Sequence, residues 1–420
     1  MKKILLFFAF CVGLMAADAT IEVVNRGLVL PRILVQDATT NFANTTLKDR
    51  FFKLLAGDLK VGSSFEVIEE RDIVEGYDGN FRTELVKSKA PEFVLRYGIE
   101  SQSGGLSFKV KLISVKDGKI KFEKSYAQKD LGKWPFLAHR GVADIARALN
   151  LSPIEWMDKS IVISQYTTPG KSNIIIADYT LTYQKVVLSG GFNVFPKWAN
   201  AEQSAFYYTS YVKGVPTLFK FDLSNGKKTR ITSSGGMIVA SDVSQDGNKL
   251  LLTMAPDDQS DIFIYDIRSG EKTRITDFKG IDVNGNFVDN DTGVVFVSDR
   301  LGYPNIFKTS VNGGAVEQMV YHGKNNNSVS TYQNYVVYSS RESVGATKTF
   351  NLYLISTKSD YIRQLTANGV NTYPRFSSDG GSIVFIKNAG GESAVGIIRV
   401  NENKSFQFPL RIGKLQSIDW

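Results

Sequence analysis

The C-terminal part of the chain repeats one pattern, in which short apolar strands alternate with polar turns. One apolar position recurs every 44 to 46 residues, at Val187, Ile231, Ile275, Met319, Leu365 and Leu410. A second recurs in step with it, at Ile175, Phe219, Phe263, Phe307 and Tyr353, inside runs such as "TLFKFDL" and "DIFIYDI". A period of about 44 residues with four strands per unit is typical of a propeller blade. The six units predict a six-bladed β-propeller over residues 158–420.

The first unit, which begins at Ile161, lacks an innermost strand. The last residues of the chain, "KLQSIDW", have the pattern of that strand, and Trp420 follows Phe376 at the repeat spacing of 44. We therefore expect the C-terminal strand to complete the first blade and to close the ring, which removes free sheet edges. Aromatic residues at repeating positions, such as Trp198, are expected in the core.

Residues before the repeat combine two hydrophobic periods. Helical spacing predicts a helix of about three turns from Leu47 to Leu59 and a second helix from Ala138 to Leu149. Strand-like runs lie at Arg32–Gln36 and Phe93–Tyr97, and a hairpin turns at Asp117-Gly118. Helices interspersed with strands predict a two-layer α/β domain over residues 20–157.

The first residues have the pattern of a secretory signal peptide. Lys2 and Lys3 precede the uncharged apolar stretch Ile4–Leu14, and small residues follow at Ala17 and Ala19. Residues 1–19 are therefore predicted to be removed on export to the periplasm. No later apolar run reaches the length of a membrane span, so none is expected after cleavage.

The single cysteine and the charge change this picture little. Cys11 lies inside the apolar stretch and is interpreted as discarded with it, the alternative being a lipid-attachment site. The formal net charge of +8 is spread along the chain without a basic cluster, which argues against nucleic acid as a partner.

Candidate chemistry is sparse. His139, one of two histidines, is either a ligand or base, or else a partly exposed helix residue or a satisfied polar contact. A hydrolase would need a nucleophile motif, and no G-x-S-x-G occurs in the chain. The sequence predicts no enzyme and no cofactor, although a calcium ion held by channel carbonyls would leave no pattern in the sequence. Two rivals stay open: a periplasmic propeller that scaffolds another assembly or binds a small ligand or glycan, and a propeller hydrolase.

The whole chain resembles the TolB family of the Tol-Pal cell-envelope system. The segments that carry the resemblance are "PNIFKTSVNGGAVEQM", "DIFIYDIRSGEKTRIT", "YPRFSSDGG" and "IADY" at Ile176–Tyr179. The family's S-P-D-G turn is altered to Ser-Gln-Asp-Gly at Ser244–Gly247 and to Ser-Ser-Asp-Gly at Ser377–Gly380. The resemblance implies a protein-binding adaptor that supports outer-membrane integrity and constriction during cell division.

The resemblance implies two binding sites. The mature N-terminal segment would bind TolA, and here it matches Thr20, Ile21, Glu22, Val23 and Val24. A short apolar segment at a free terminus can add as a strand to a partner's sheet. The same segment can instead dock on its own chain, and both states can coexist as a switch.

The second implied site is the propeller face at the mouth of the channel, which would bind the lipoprotein Pal. Loops leading into the innermost strands contribute Asn193, Met237, Ile281, Asn325 and Asn371, and loops between second and third strands contribute Lys213, Asp257, Arg300 and Tyr303. The asparagines suit either hydrogen bonding to a partner or turn geometry. Other Tol or outer-membrane components are further candidate partners.

Overall fold

The computed structural model describes residues 22–23, 29–70, 76–341, 349–410 and 413–420. The predicted signal peptide therefore lies outside the described residues. The elements before the propeller are, in chain order, β1 (Glu22–Val23), β2 (Arg32–Asp37), α1 (Thr45–Gly62), β3 (Glu66–Glu69), β4 (Phe93–Gln102), β5 (Gly105–Ser114), β6 (Ile120–Gln128) and α2 (Pro135–Ala148). Short 3-10 helices lie at Thr83–Leu85, Lys87–Lys89, Leu131–Lys133 and Glu155–Asp158.

The N-terminal domain is a five-stranded sheet in the order β3-β2-β4-β5-β6, with β2 parallel to both of its neighbours. Helices α1 and α2 cover one face of this sheet, where the rings of Phe51, Tyr97 and Phe108 meet at 4.9 to 6.1 Å. Alternate strand residues such as Leu34 and Val94 pack on the other face. The expected α/β layers are confirmed.

Helix α1 is longer than the three turns predicted. It begins after Asn44, whose side chain accepts a hydrogen bond from the Leu47 backbone N–H at 3.0 Å. It ends at Ser63, which has a left-handed backbone conformation with φ of 62°. The helix therefore spans 18 residues, about five turns. Sequence spacing marked only the part whose apolar side chains recur regularly.

The propeller consists of six antiparallel four-stranded blades. Its strands are β7 (Ile161–Thr168), β8 (Lys171–Ala177) and β9 (Gln184–Leu188) in blade one; β10 (Asn193–Trp198), β11 (Ala205–Val212), β12 (Val215–Asp222) and β13 (Lys228–Ser233) in blade two; β14 (Ile238–Val243), β15 (Lys249–Met254), β16 (Asp261–Asp266) and β17 (Lys272–Arg274) in blade three; β18 (Asp282–Val288), β19 (Gly293–Ser298), β20 (Asn305–Ser310) and β21 (Glu317–Gln318) in blade four; β22 (Lys324–Tyr332), β23 (Tyr335–Arg341), β24 (Asn351–Ser356) and β25 (Ile362–Gln364) in blade five; β26 (Val370–Phe376), β27 (Ser382–Ala389), β28 (Glu392–Arg399) and β29 (Lys404–Pro409) in blade six; and β30 (Lys414–Asp419), which returns to blade one.

The C-terminal strand closes the ring as predicted. Strand β30 pairs antiparallel with β7, so blade one has the order β30-β7-β8-β9. Asp419 on this strand accepts a hydrogen bond from the Trp198 backbone N–H at 2.8 Å, which ties blade one to blade two. Trp420 packs edge-on against Trp156 at 4.8 Å between ring centroids. Closure is thus stabilised by hydrogen bonds on one side and aromatic packing on the other.

The two faces of the propeller have different neighbours. We call the face formed by loops entering the innermost strands, and by loops joining second to third strands, the upper face. The opposite, lower face contacts the N-terminal domain, for example where Arg399 donates to the Pro153 carbonyl. The N-terminal domain therefore leaves the upper face uncovered.

Candidate functional site

The tips of the upper face carry three of the predicted site residues. Lys213 lies in the tight hairpin between β11 and β12, exposed and with φ of 51°. Asp257 is exposed in the loop between β15 and β16, and Tyr303 is half-buried in the loop between β19 and β20. These side chains are placed where a partner approaching the upper face would meet them.

Asn193 and Asn371 are instead buried, with 6% and 0% of their surface exposed. The Asn193 amide donates to the Ser172 carbonyl, and the Asn371 amide donates to the carbonyls of Phe350 and Asn368. Each also donates its backbone N–H toward the third strand of the preceding blade. Both side chains therefore support loop geometry.

The structural equivalents of these two asparagines are shifted by one residue in blades four and five. Asp282 and Asn326 donate their backbone N–H groups to the carbonyls of Ser260 and Pro304 in the same way, and both are fully buried. The predicted Ile281 is consequently 50% exposed, and Asn325 is half-buried with φ of 63°.

Arg300 is held inside its own blade. Its guanidinium pairs with both carboxylate oxygens of Asp282 at 3.1 and 3.2 Å. It also lies over the rings of Phe278, Phe296 and Phe307, at 4.9 to 5.4 Å from their centroids. Only 19% of the side chain is exposed. This contact set gives Arg300 a structural role beside any contact with a partner.

A cavity of about 260 Å³ occupies the mouth of the channel, and Met237 lines it. Residues in β-bulges of the innermost strands also line it and have left-handed backbone conformations: Phe195, Asn284, Ser328 and Tyr373. Bulges direct side chains away from the regular alternation of a strand. Here the bulges of four blades direct side chains toward the same opening.

Ion pairs between charged side chains link neighbouring blades beside the channel. The Lys197 ammonium lies 3.1 Å from Asp419 and 3.3 Å from Asp242, and Arg375 lies 3.4 Å from Asp419. Burial alone would lower the pKa of Lys197, but the two carboxylates outweigh it and raise the pKa above its ordinary value. These ion pairs join blades six, one, two and three around the closing strand.

An exposed aromatic patch on blades one and two was not predicted. We define it as Tyr166, Phe192 and Tyr211, with Val212 and Val215 beside them. The Phe192 ring lies 6.4 Å from Tyr166 and 5.5 Å from Tyr211. Tyr211 and Val212 are each 46% exposed. The only trace of this patch in the sequence is the spacing of 45 between the two tyrosines, because its members come from two different blades.

The predicted TolA segment is described in part. Glu22 and Val23 form β1, which pairs antiparallel with Ser405 and Lys404 on β29, the outer strand of blade six. Thr20, Ile21 and Val24 lie outside the described residues. The two described residues of the segment are thus docked on the outer edge of blade six and not within the N-terminal sheet.

The interface between the two domains contains a buried polar cluster around His139. Its Nδ1 lies 2.8 Å from Asp58 on α1, and its Nε2 lies 3.2 Å from Asp178 on blade one. The Tyr179 hydroxyl donates to the other oxygen of Asp58 at 2.5 Å. Burial would lower the pKa of His139, but the two carboxylates raise it to about 10. His139 is therefore a charged, satisfied contact, the second of its two interpretations.

Nothing in the described residues suggests a metal centre, since they contain no group of three or more His, Cys, Asp or Glu side chains able to hold an ion. Within the same residues, no helix is long and apolar enough to cross a membrane.

Comparison with known proteins gives a consistent result. A family model described as the TolB beta propeller domain matches residues 160–348. The chain is 52% identical to the Tol-Pal system protein TolB of Campylobacter jejuni, over all of both chains, and 47% identical to that of Wolinella succinogenes, over 97% of each. The crystal structure of TolB from Acinetobacter baumannii has the same fold, with a TM-score of 0.78, 19% identity and coverage of 96% of this chain and 99% of that one. The chain belongs to the TolB family, the non-enzymatic β-propeller proteins of the Tol-Pal system.

Proposed function

We propose that this chain is a periplasmic adaptor that binds Pal through the upper face and TolA through its mature N-terminal segment. Residues 1–19 would be removed on export. In this role the chain would connect the outer membrane to the inner-membrane Tol proteins, supporting envelope integrity and constriction during division. The observation that carries the proposal is the exposed aromatic patch beside an open channel mouth, on the face that the N-terminal domain leaves free.

Exposed apolar surface supports a protein partner on this face. Tyr211, Val212 and Val215 are 43 to 46% exposed, although Thr209 and Pro216 on the same strands are buried. Ile281, Leu301 and Tyr321 extend apolar surface to blades four and five, where Tyr321 is 82% exposed. Grouped apolar residues on a soluble protein mark interaction sites, and tyrosines contribute strongly to such interfaces.

The docking of β1 supports a releasable N-terminal segment. Among the described residues, its ladder with β29 contains the pairs of Glu22 with Ser405 and of Val23 with Lys404. A strand added to the outer edge of a blade can be exchanged for pairing with a partner's sheet, in which main-chain hydrogen bonds give the affinity. TolA would then compete with β29 for the same backbone groups.

Calorimetric titration of the mature protein with the periplasmic domain of Pal from the same organism tests the proposal. We expect saturable one-to-one binding that survives deletion of residues 20–24. Tyr211→Ala should weaken it by about tenfold, as expected for loss of an interface aromatic. Tyr335→Ala is the matched control, because Tyr335 is 40% exposed at the start of β23, on the lower face. Absence of binding by two folded proteins would contradict the proposal.

The second site is tested separately. Deletion of residues 20–24 should abolish binding to TolA while Pal still binds. Retention of TolA binding by the deleted protein would remove the N-terminal segment from the proposal and would leave the Pal site untouched.

A further inference from the structure

A cavity of about 320 Å³ lies between the N-terminal domain and the lower face of the propeller. The N-terminal side is formed by Lys133, Phe136 and Arg140, at the start of α2 and just before it. The propeller side includes Tyr183 and Lys185 from blade one, and Trp198 from blade two. Clefts between domains are common positions for small-molecule sites, since two surfaces can enclose one ligand.

Aromatic rings form the apolar part of the cavity and span the two domains. The rings of Phe136 and Tyr183 meet edge to face at 5.6 Å between centroids. Trp198 is 6% exposed, and its buried Nε1 has no hydrogen-bond partner. Ile176 and Leu223 complete the apolar lining. A ligand held here would contact apolar groups of both domains.

The polar part of the cavity is mainly cationic. Arg140 pairs with Asp158 through hydrogen bonds of 2.8 and 3.2 Å, so those two charges neutralise one another. Among the described residues, the ammonium groups of Lys133 and Lys185 have no acidic partner. Glu202, which is exposed, is the remaining acid of the lining. The groups available to a ligand are therefore two ammonium groups against one carboxylate.

We propose that this interdomain cavity binds a small amphipathic anion, in which a carboxylate or phosphate group is attached to an apolar body. The anionic group would be held by Lys185 and Lys133, and the apolar body would lie against Phe136 and Trp198. Because these groups come from both domains, the bound anion stabilises the arrangement of the N-terminal domain on the propeller. Neither binding site of the proposed function includes this cavity.

Nuclear magnetic resonance of the ¹⁵N-labelled mature protein tests this inference. The chain has four tryptophans, so four indole N–H signals are expected. The signal that disappears in Trp198→Phe is that of Trp198. We expect phenylacetate to shift the Trp198 signal with saturation in the millimolar range, as usual for a ligand of about ten heavy atoms. Phenyl phosphate, used in parallel, shows which anionic group is preferred.

One neutral probe and two lysine variants test whether the negative charge of the ligand contributes to binding. The neutral 2-phenylethanol should bind at least about tenfold more weakly than phenylacetate, because it lacks the charge-assisted contact. Lys185→Gln should weaken phenylacetate by about tenfold, whereas Lys171→Gln, an exposed lysine at the other end of blade one, should leave it unchanged. An unshifted Trp198 signal with both anions, equal binding of the alcohol, or equal effects of the two lysine variants would overturn the proposal.

Discussion

The lower and upper faces of the propeller differ in which side chains they bury and which they leave exposed to solvent. On the lower face, His139, Asp58 and Asp178 are fully buried and bonded to one another across the domain interface. On the upper face, Tyr211 and Val212 are nearly half exposed although apolar. Polar groups are thus enclosed where the domains meet, and apolar groups are left in contact with solvent where they do not.

The difference shows which residues the fold requires. A buried charge must be paired, since an unpaired one costs several kcal/mol, so the His139 cluster fixes one arrangement of the two domains. A tyrosine that is nearly half exposed adds less to stability than a buried one, because only part of its ring is removed from water on folding. The fold does not explain the aromatic patch, which under the proposed function would be covered by a partner.

Replacing His139 should have the largest effect on stability. His139→Ala leaves the carboxylates of Asp58 and Asp178 buried without their shared cation, and we expect a loss of about 3–5 kcal/mol in the free energy of unfolding. Urea titration followed by fluorescence measures it. Tyr179→Phe is the matched control, since it removes one hydroxyl and should cost about 1–2 kcal/mol. Equal losses in the two variants would show that His139 carries no charge in the folded protein.

A second large effect is expected at the closing strand. Asp419→Asn removes the charge that Lys197 and Arg375 share, while the Trp198 backbone contact retains an acceptor. We expect a loss of about 2–3 kcal/mol, measured by the same titration. Asp257→Asn, in an exposed upper loop, should change stability by less than about 0.5 kcal/mol. An unaffected Asp419 variant would mean that ring closure depends on packing alone.

The sequence predicted whatever repeats or alternates. The spacing of 44 to 46 residues identified six blades and the closing strand, which is confirmed by the pairing of β30 with β7. Helical spacing located α1 but not its five turns. The prediction placed the polar positions of blades four and five one residue too early, at Ile281 and Asn325 instead of Asp282 and Asn326. The repeat length varies by a residue, and nothing local in the sequence shows where.

Contacts between distant segments could not be predicted from one sequence. His139 lies 81 residues from Asp58 and 39 from Asp178, and neither separation belongs to a helix or a strand period. The aromatic patch likewise joins residues of two blades. Such clusters of side chains form only through tertiary packing. A repeat pattern indicates the blade to which a residue belongs but not which side chains it contacts.

The domain interface should weaken at alkaline pH. The pKa of His139 is raised from 6.5 to about 10, so its contribution to stability is complete below pH 6.5, declines as the pH rises and is lost above about 10. We expect the free energy of unfolding to fall between neutral pH and about pH 9. His139→Gln, which cannot be charged, should lose the part of this decline that His139 causes. The same pH dependence in both proteins would contradict the assignment.

The smallest effect on stability should come from the upper face. Tyr211→Ala should change the free energy of unfolding by less than about 0.5 kcal/mol, because the ring is 46% exposed and loses mainly its contact with Phe192. Tyr208→Ala, three residues earlier on β11 and 2% exposed, should cost about 3–5 kcal/mol. Thermal unfolding of the two variants measures the contrast. A loss of similar size in both would make Tyr211 part of the core, and the aromatic patch would then need no partner to explain it.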